Sequence, residues 1–340
     1  MDMVTLGIDL GKTVCSVTGL DGAGRKVLGC RVRRDGLLAF TANLPRLTIG
    51  IEACFGAHEL ARALIAQGHK VRLLVPSDIK PYLAAHKNDD RDGDAIAEAT
   101  TRPYVREVPV KTADQLDLQC LHRVRERLVG MRTALINQMR SILVERGIRV
   151  GRGKTVLARA LMEILAAPGA LSGRIVHLLQ EMRAEWRGLD ERIGAFDKEL
   201  AAEAKAREET ARLLTVPGIG PLTATALAAA LGDAGAMKRS RDLPAWLGLV
   251  PRQHSTGGRT RLGKITKRGN SYVRKLMVHG ARSALTALVR LKDGSALGRW
   301  ARQMLERKPW NVVVVALANK MARMAWAVLA RGSVYEARLV

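Results

Sequence analysis

The stretch Thr5-Leu6-Gly7-Ile8-Asp9-Leu10-Gly11-Lys12 constrains the fold more than any other part of the chain. It is a short apolar run that ends on a carboxylate and is closed by glycine. A run of this length bounded by turn formers reads as a buried first strand. Asp9 then sits at the strand's end, where a carboxylate can face a cleft. Val14 to Leu20 keeps the apolar character, Asp21-Gly22 makes a tight turn, and Arg25 to Val32 follows. The expectation is a meander of three strands.

The next segments turn the meander into an α/β fold. Leu37 to Asn43 reads as a short helix, and Leu47-Thr48-Ile49-Gly50-Ile51-Glu52 as a strand ending on a second carboxylate. Gly56 to Gln67 is helical in pattern, and Lys70 to Val75 is a strand closed by Pro76. Strand, helix, strand implies a crossover and a partly parallel sheet. Sites in open α/β sheets gather outside the C-terminal ends of the strands, so Asp9 and Glu52 are expected to be neighbours. Farther on, Asp89 and Asp92 are three residues apart, on one face of an expected helix. Carboxylates so placed repel unless a cation neutralises them, and a hard divalent ion such as Mg²⁺ does so. Asp90 and Asp94 are expected to point elsewhere. The plainer reading of this segment is an acidic helix N-terminus favoured by the helix dipole. A carboxylate on a central strand is the usual seed of a metal site in RNase-H-like nucleases. Sugar kinases and actin-like ATPases begin the same way, but no second glycine-rich nucleotide motif follows.

Charge narrows the partner. Fifty-six Lys and Arg face 32 Asp and Glu, for a net charge of +24 over 340 residues. The basic residues recur along the whole chain, an electrostatic footprint for a long polyanion such as nucleic acid. Aromatics make up only 4%, so contacts should run through phosphates and be salt-dependent rather than rest on base stacking. The four cysteines (Cys15, Cys30, Cys54, Cys120) have no zinc-like spacing and are expected to be reduced thiols of a cytosolic protein. Asp2 and Asp9 interrupt any apolar leader. Val312 to Leu329 is broken by Asn319, Lys320 and Arg323 and reads as a core helix rather than a membrane span.

Residues 114–209 read as helical. Leu121, Val124, Leu128, Met131 and Leu135 step by three and four, as do Ile175, Leu179, Met182, Trp186, Leu189, Ile193, Phe196 and Leu200 after a Gly/Pro-containing break at 147–173. Such seams pair with each other or with a second subunit, and self-association is the favoured expectation. Val216-Pro217-Gly218-Ile219-Gly220-Pro221 has the form of a helix-hairpin-helix turn. In such a turn Gly218 and Gly220 can bring backbone N–H groups to a phosphate, or can simply close a tight interhelix turn. Pro251-Arg252-Gln253-His254-Ser255-Thr256-Gly257-Gly258-Arg259, followed by Lys264, Lys267, Arg268 and Arg274, sets a glycine-flanked serine among cations. Glycine permits close backbone approach, and the cations suit a phosphodiester. Ser255 could bind phosphate, or attack it if activated. Ser271 to Leu291 and Trp310 to Ala330 read as packing helices.

Four blocks in one order carry a family resemblance: Gly7-Ile8-Asp9, Gly50-Ile51-Glu52-Ala53, Lys87-Asn88-Asp89-Asp90-Arg91-Asp92, and Pro251 to Gly258 with its trailing Lys-Arg-Gly-Asn. Together they resemble the DEDD transposases of insertion-sequence family 110, most closely its 1111 subgroup, which are related to the Piv/MooV DNA invertases. The resemblance covers essentially the whole chain. It implies an α/β plus α architecture: a RuvC-like RNase-H-fold domain over residues 1–112, a helical coiled-coil arm over 113–208, and a mainly helical C-terminal transposase domain over 209–340. It further implies a Mg²⁺ (or Mn²⁺) tetrad of Asp9, Glu52, Asp89 and Asp92. Ser255 would act as a nucleophile that forms a transient phosphoserine link to DNA. The implied partners are double-stranded DNA, a structured non-coding RNA that pairs with donor and target, and other copies of the chain in a dimer or tetramer with composite active sites. The implied setting is the bacterial cytoplasm and nucleoid. One departure is Gly93, where the family often has alanine; it lowers local helix propensity. A RuvC-like resolvase, in which water attacks and Ser255 only binds phosphate, shares the fold and is the alternative. A non-enzymatic RNA-binding scaffold would leave the ordered carboxylates without a role.

Overall fold

A computed structural model describes residues 2–83, 89–169, 171–231 and 237–337, the side chains of residues 89 and 90 excepted. The chain divides into two compact units, residues 1–115 and 116–340.

The first unit is built on five strands: β1 (Met3–Asp9), β2 (Val14–Asp21), β3 (Lys26–Arg33), β4 (Thr48–Glu52) and β5 (Lys70–Leu74). Their order is β3-β2-β1-β4-β5, with the meander antiparallel and the β1–β4 and β4–β5 pairs parallel. Helices α1 (Leu37–Ala42) and α2 (Ala57–Ala66) supply Leu37, Leu60, Ala61 and Leu64 to a core with Leu6, Ile8, Ile49 and Ile51. A short α3 (Pro76–Ile79) leads to α4 (Asp89–Thr101), which packs across β1, β2 and β4.

Alternation along the strands explains how α4 can lie so close. Leu6 and Ile8 on β1, and Ile49 and Ile51 on β4, belong to the α1–α2 core, so Gly7, Asp9, Gly50 and Glu52 share the opposite face. Gly7 and Gly50 are paired in register. A Cβ on Gly7 would lie 2.3 Å from the Ala97 backbone nitrogen, and one on Gly50 1.7 Å from Thr100 Oγ1. The two glycines form a trough that admits α4, and the two carboxylates stand two residues farther along the same face. Gly93 has a packing reason too, since a Cβ there would come within 3.2 Å of Thr18 Oγ1. Asp94 ties the helix down, accepting from Thr18 Oγ1 at 2.7 Å and from Lys26 Nζ at 2.6 Å.

The long helix α5 (Ala113–Val144) starts at the end of the first unit and runs into the second, where α6 (Lys154–Ala166) and α7 (Gly173–Ala206) follow. Leu128, Leu135, Ile136, Met139 and Leu143 of α5 share one core with Leu157 and Leu161 of α6 and with Leu179, Trp186, Leu189 and Ile193 of α7. The apolar seams therefore cover each other within one chain, which removes the reason for assigning them to a second subunit. Met131 is exposed and does not belong to the seam. Helix α6 occupies what reads in sequence as a break. Its flanking Gly151, Gly153, Pro168 and Gly169 mask an interior rich in Leu and Ala.

The remaining elements are α8 (Glu208–Leu213), α9 (Pro221–Leu231), α10 (Asp242–Trp246), the hairpin β6 (Pro251–Thr256) and β7 (Arg259–Ile265), α11 (Ser271–Arg290), α12 (Ala296–Arg307) and α13 (Trp310–Arg331). Helix α13 is long and apolar enough to cross a membrane by length and composition alone. Here it is a core helix, with Val313, Val314, Leu317, Ala318, Met321 and Ala322 buried in one core, and α11 is its main packing partner. A buried polar chain links α5, α9 and α11. The Thr225 hydroxyl donates to Pro221 O at 2.7 Å, so its oxygen accepts from His122 Nε2 at 3.0 Å, and His122 Nδ1 accepts from the Tyr272 hydroxyl at 3.0 Å. Burial, then the Arg125 charge, pushes the His122 imidazole down to about 4, while burial pushes the Tyr272 phenol up to about 12.

Candidate active site

Asp9 and Glu52 end adjacent parallel strands whose preceding residues, Ile8 and Ile51, are directly paired. Asp92 comes from the first turn of α4, the helix seated over Gly7 and Gly50. All three carboxylates are half-buried. Burial first, then the charges of Asp9 and Asp92, raise the Glu52 carboxyl above its ordinary value, and Lys80 opposes the shift. The three groups thus feel one another across a single mouth at the C-terminal edge of the sheet. Asp89 opens α4, but its side chain falls outside the described set, as do Lys87 and Asn88 of the same block. Among the described residues no three His, Cys, Asp or Glu side chains stand close enough together to enclose an ion. Asp9, Glu52 and Asp92 are in electrostatic reach of one another rather than in ligating contact.

Three residues at this mouth give no signal in the sequence. Arg34, in a 3₁₀ turn after β3, donates from Nη1 to Gly11 O at 3.0 Å, and its Nη2 lies 2.2 Å from where a Cβ on Gly56 would stand. It therefore bridges the loops that follow Asp9 and Glu52. Lys80 follows α3 and offsets the negative charge at Glu52. Phe55, three residues beyond Glu52, is 91% exposed. No periodicity marks any of these positions, because each lies in a turn.

In the second unit, Ser255 lies on β6, in a hairpin that the polar sequence Arg252 to Lys264 does not announce. Only Leu262 is a large apolar residue between Arg252 and Lys264, and it is 65% exposed, so the hairpin has no core face and no apolar alternation to read. Gly257 and Gly258 have φ of 55° and 75°, the two positive values that a two-residue hairpin turn demands. Their first role is thus to close the turn between Thr256 and Arg259. Ser255 is paired with Thr260 and Gln253 with Leu262, while His254 is paired with Arg261. Cross-strand partners share a face, so Ser255, Gln253, Thr260 and Leu262 stand on one side, and His254, Arg261, Thr256 and Arg259 on the other. Gln253 Nε2 donates to Ser255 Oγ at 2.8 Å. That contact occupies an oxygen lone pair and leaves the hydroxyl proton free.

The other basic positions divide by role. Arg252, Arg259, Lys264, Lys267 and Arg268 are exposed and available to a polyanion. Arg274 is committed internally: Nη1 donates to Leu247 O and to Arg268 O, both at 2.9 Å, clamping the loop that carries Lys267 and Arg268. Gly218, in the turn between α8 and α9, is held for packing, since a Cβ there would meet Gly280 O at 2.7 Å and Met321 Cε at 2.8 Å. Gly220 is exposed, and a Cβ there would meet open space.

Comparison with known proteins follows the same two halves. The DEDD transposase model of IS110 matches residues 6–147. The model described as "Transposase IS116/IS110/IS902 family" matches residues 210–294, which include the serine hairpin. A probable family 20 transposase of Pseudomonas aeruginosa is 43% identical, over 98% of this chain and 99% of its own. The transposase of insertion sequence element IS1111A from Coxiella burnetii is 40% identical, over 98% of this chain and 92% of its own. The IS1328 transposase of Yersinia enterocolitica is also 40% identical, over 98% and 99%.

Proposed function

This chain belongs to the IS110 family of insertion-sequence transposases, enzymes that cut and rejoin DNA, and on that premise we propose that it does so with a carboxylate metal site and a serine nucleophile. The observation that carries the reading is the convergence of Asp9 and Glu52, at the ends of paired strands, with Asp92 of α4; burial first, then the charges of Asp9 and Asp92, lifts the Glu52 carboxyl. Half-buried like charges held together by two strand ends and a helix are an arrangement that a hard cation relieves. The donor set, all carboxylate oxygen, fits Mg²⁺ or Mn²⁺. Asp9, Glu52 and Asp92, with Asp89, would hold the ion, which when bound supplies positive charge against the charge that develops on a phosphodiester under attack. The five-stranded mixed sheet with its helix-borne aspartates supports an RNase-H-like, RuvC-like reading of the first unit.

Ser255 is the group proposed to attack. Its hydroxyl is exposed and its proton is unengaged by Gln253. Attack forms an Oγ–P bond and breaks a P–O bond of the DNA strand, so one sugar hydroxyl leaves with the proton that Oγ gives up. The phosphoserine diester keeps the bond energy, and a sugar hydroxyl of the incoming strand displaces Oγ to complete the exchange. The exposed cations of the hairpin and its following loop would hold phosphates on either side. A charge of +24 also supports a second polyanion, a non-coding RNA that guides the DNA. We extend the proposal to an oligomer in which tetrad and serine come from different subunits, although the arm's apolar seams do not supply that interface.

The test separates binding from cutting. Asp9→Asn, Glu52→Gln and Asp92→Asn should each abolish strand cleavage in Mg²⁺ while leaving DNA affinity within about threefold, because phosphate contacts lie elsewhere on the chain. Cleavage retained in all three variants contradicts the metal-site assignment.

A further inference from the structure

The turn over residues 53–56 presents the most exposed large apolar side chain among the described residues. Phe55 is 91% exposed in a chain with three phenylalanines in all. Its position is not loose. Ala53 N donates to Leu74 O at 3.0 Å, which extends the β4–β5 pairing past Glu52, and Ala57 N donates to Cys54 O at 3.3 Å, which closes the turn. Arg34 is laid against Gly56 on one side and bound to Gly11 O on the other. The turn that carries Phe55 borders charged groups: it follows Glu52, on which Asp9, Asp92 and Lys80 act, and Arg34 lies against its Gly56.

A protein-docking surface needs a contiguous apolar patch, and this is one ring among ions. A nucleobase needs only a π-face, with a cation nearby for the phosphate it carries. We infer that Phe55 is a stacking platform for a DNA base next to the phosphodiester that the carboxylates act on, with Arg34 holding an adjoining phosphate. The inference rests on the carboxylates being the cutting site. It assigns a base-stacking role at one position in a chain whose aromatic content argues against stacking as a general mode. A ring wedged beside the reacting phosphate would also unstack the neighbouring base pair and hold the strand open.

The full-length protein can be tested in EDTA, where no cutting occurs, with single-stranded DNA in which 5-iodouracil replaces thymine. Irradiation should cross-link the oligonucleotide to Phe55, located by mass spectrometry of the peptide. Phe55→Ala should lose that cross-link and bind the oligonucleotide about 5- to 150-fold more weakly at fixed salt, with the slope of affinity against salt unchanged. Phe55→Trp should restore both, and Arg34→Gln should reduce the salt slope instead. Because Phe55 is exposed, its truncation leaves the core intact. Cross-links that avoid residues 53–56, or unchanged affinity in Phe55→Ala, overturn the inference. So does a cross-link seen with the matching RNA oligonucleotide alone, or an effect of Phe55→Ala confined to oligomeric mass. A Phe55 cross-link in wild type together with cleavage retained by Asp9→Asn, Glu52→Gln and Asp92→Asn overturns the carboxylate cutting site and leaves Phe55 as a base contact; cleavage lost in those variants with no Phe55 cross-link in wild type does the reverse.

Discussion

Side chains with the same chemistry do different work here according to what surrounds them. Arg274 and Arg268 are six residues apart, yet one clamps the loop that the other exposes. His254 is exposed on the hairpin, whereas His122 is buried between Tyr272 and Thr225 and held neutral, with its pKa near 4. The buried histidine has a consequence for stability. Above about pH 6.5 it is neutral in folded and unfolded chains alike and gives no pH dependence. Between 6.5 and about 4 the unfolded chain takes up a proton that the folded chain refuses, so stability falls as pH drops, by on the order of 3 kcal/mol in full. His122→Gln should be less stable than wild type at pH 7, and the gap should narrow by pH 4.5 in denaturant titrations. Parallel stability curves would contradict this. At the mouth of the candidate site, Asp9, Glu52 and Asp92 were readable because a carboxylate ending an apolar strand or opening a helix stands out in sequence. Phe55, Arg34 and Lys80 were not, since turn residues carry no period and their proximity is a product of the fold.

The element that assembles the carboxylates is α4, and what positions it is the absence of side chains beneath it. Gly7 and Gly50 are neighbours in the parallel β1–β4 pair, and each precedes its carboxylate by two residues on the same face. The same Gly-Ile-acid triplet in both strands thus supplies a seat for the helix and a ligand at its edge. Gly7→Ala would drive a methyl into the Ala97 backbone, which no rotamer change relieves. It should destabilise the protein by about 1–3 kcal/mol and reduce strand cleavage at least as severely as loss of Asp92, even in the fraction that remains folded. An intact melting temperature and normal cleavage would contradict the trough. The strands and long helices were legible because their apolar spacing is regular. The β6–β7 hairpin was not, since neither of its faces is buried and alternation had nothing to record. Helix α6 was hidden by glycine and proline at its ends. Of the seam read on α5, Leu121, Val124, Leu128 and Leu135 are packed in apolar clusters and Met131 is exposed.

At the scale of the whole chain, the carboxylates lie in the unit over residues 1–115 and the serine in the unit over residues 116–340. Each is flanked by cations, in a molecule with a net charge of +24. That charge was fully legible and points to nucleic acid as the surface partner. Whether the chain cuts through serine or through water turns on a single bond. The measurement that tests it most directly is mass spectrometry of the wild-type protein trapped with a DNA substrate carrying the element's ends, in Mg²⁺ and with RNA transcribed from its flanks. A nucleotide joined to Ser255 is expected, absent from Ser255→Ala and from Asp9→Asn, while Ser255→Ala retains its DNA binding. DNA cut by Ser255→Ala as fast as by wild type, with no nucleotide on any serine, would contradict it.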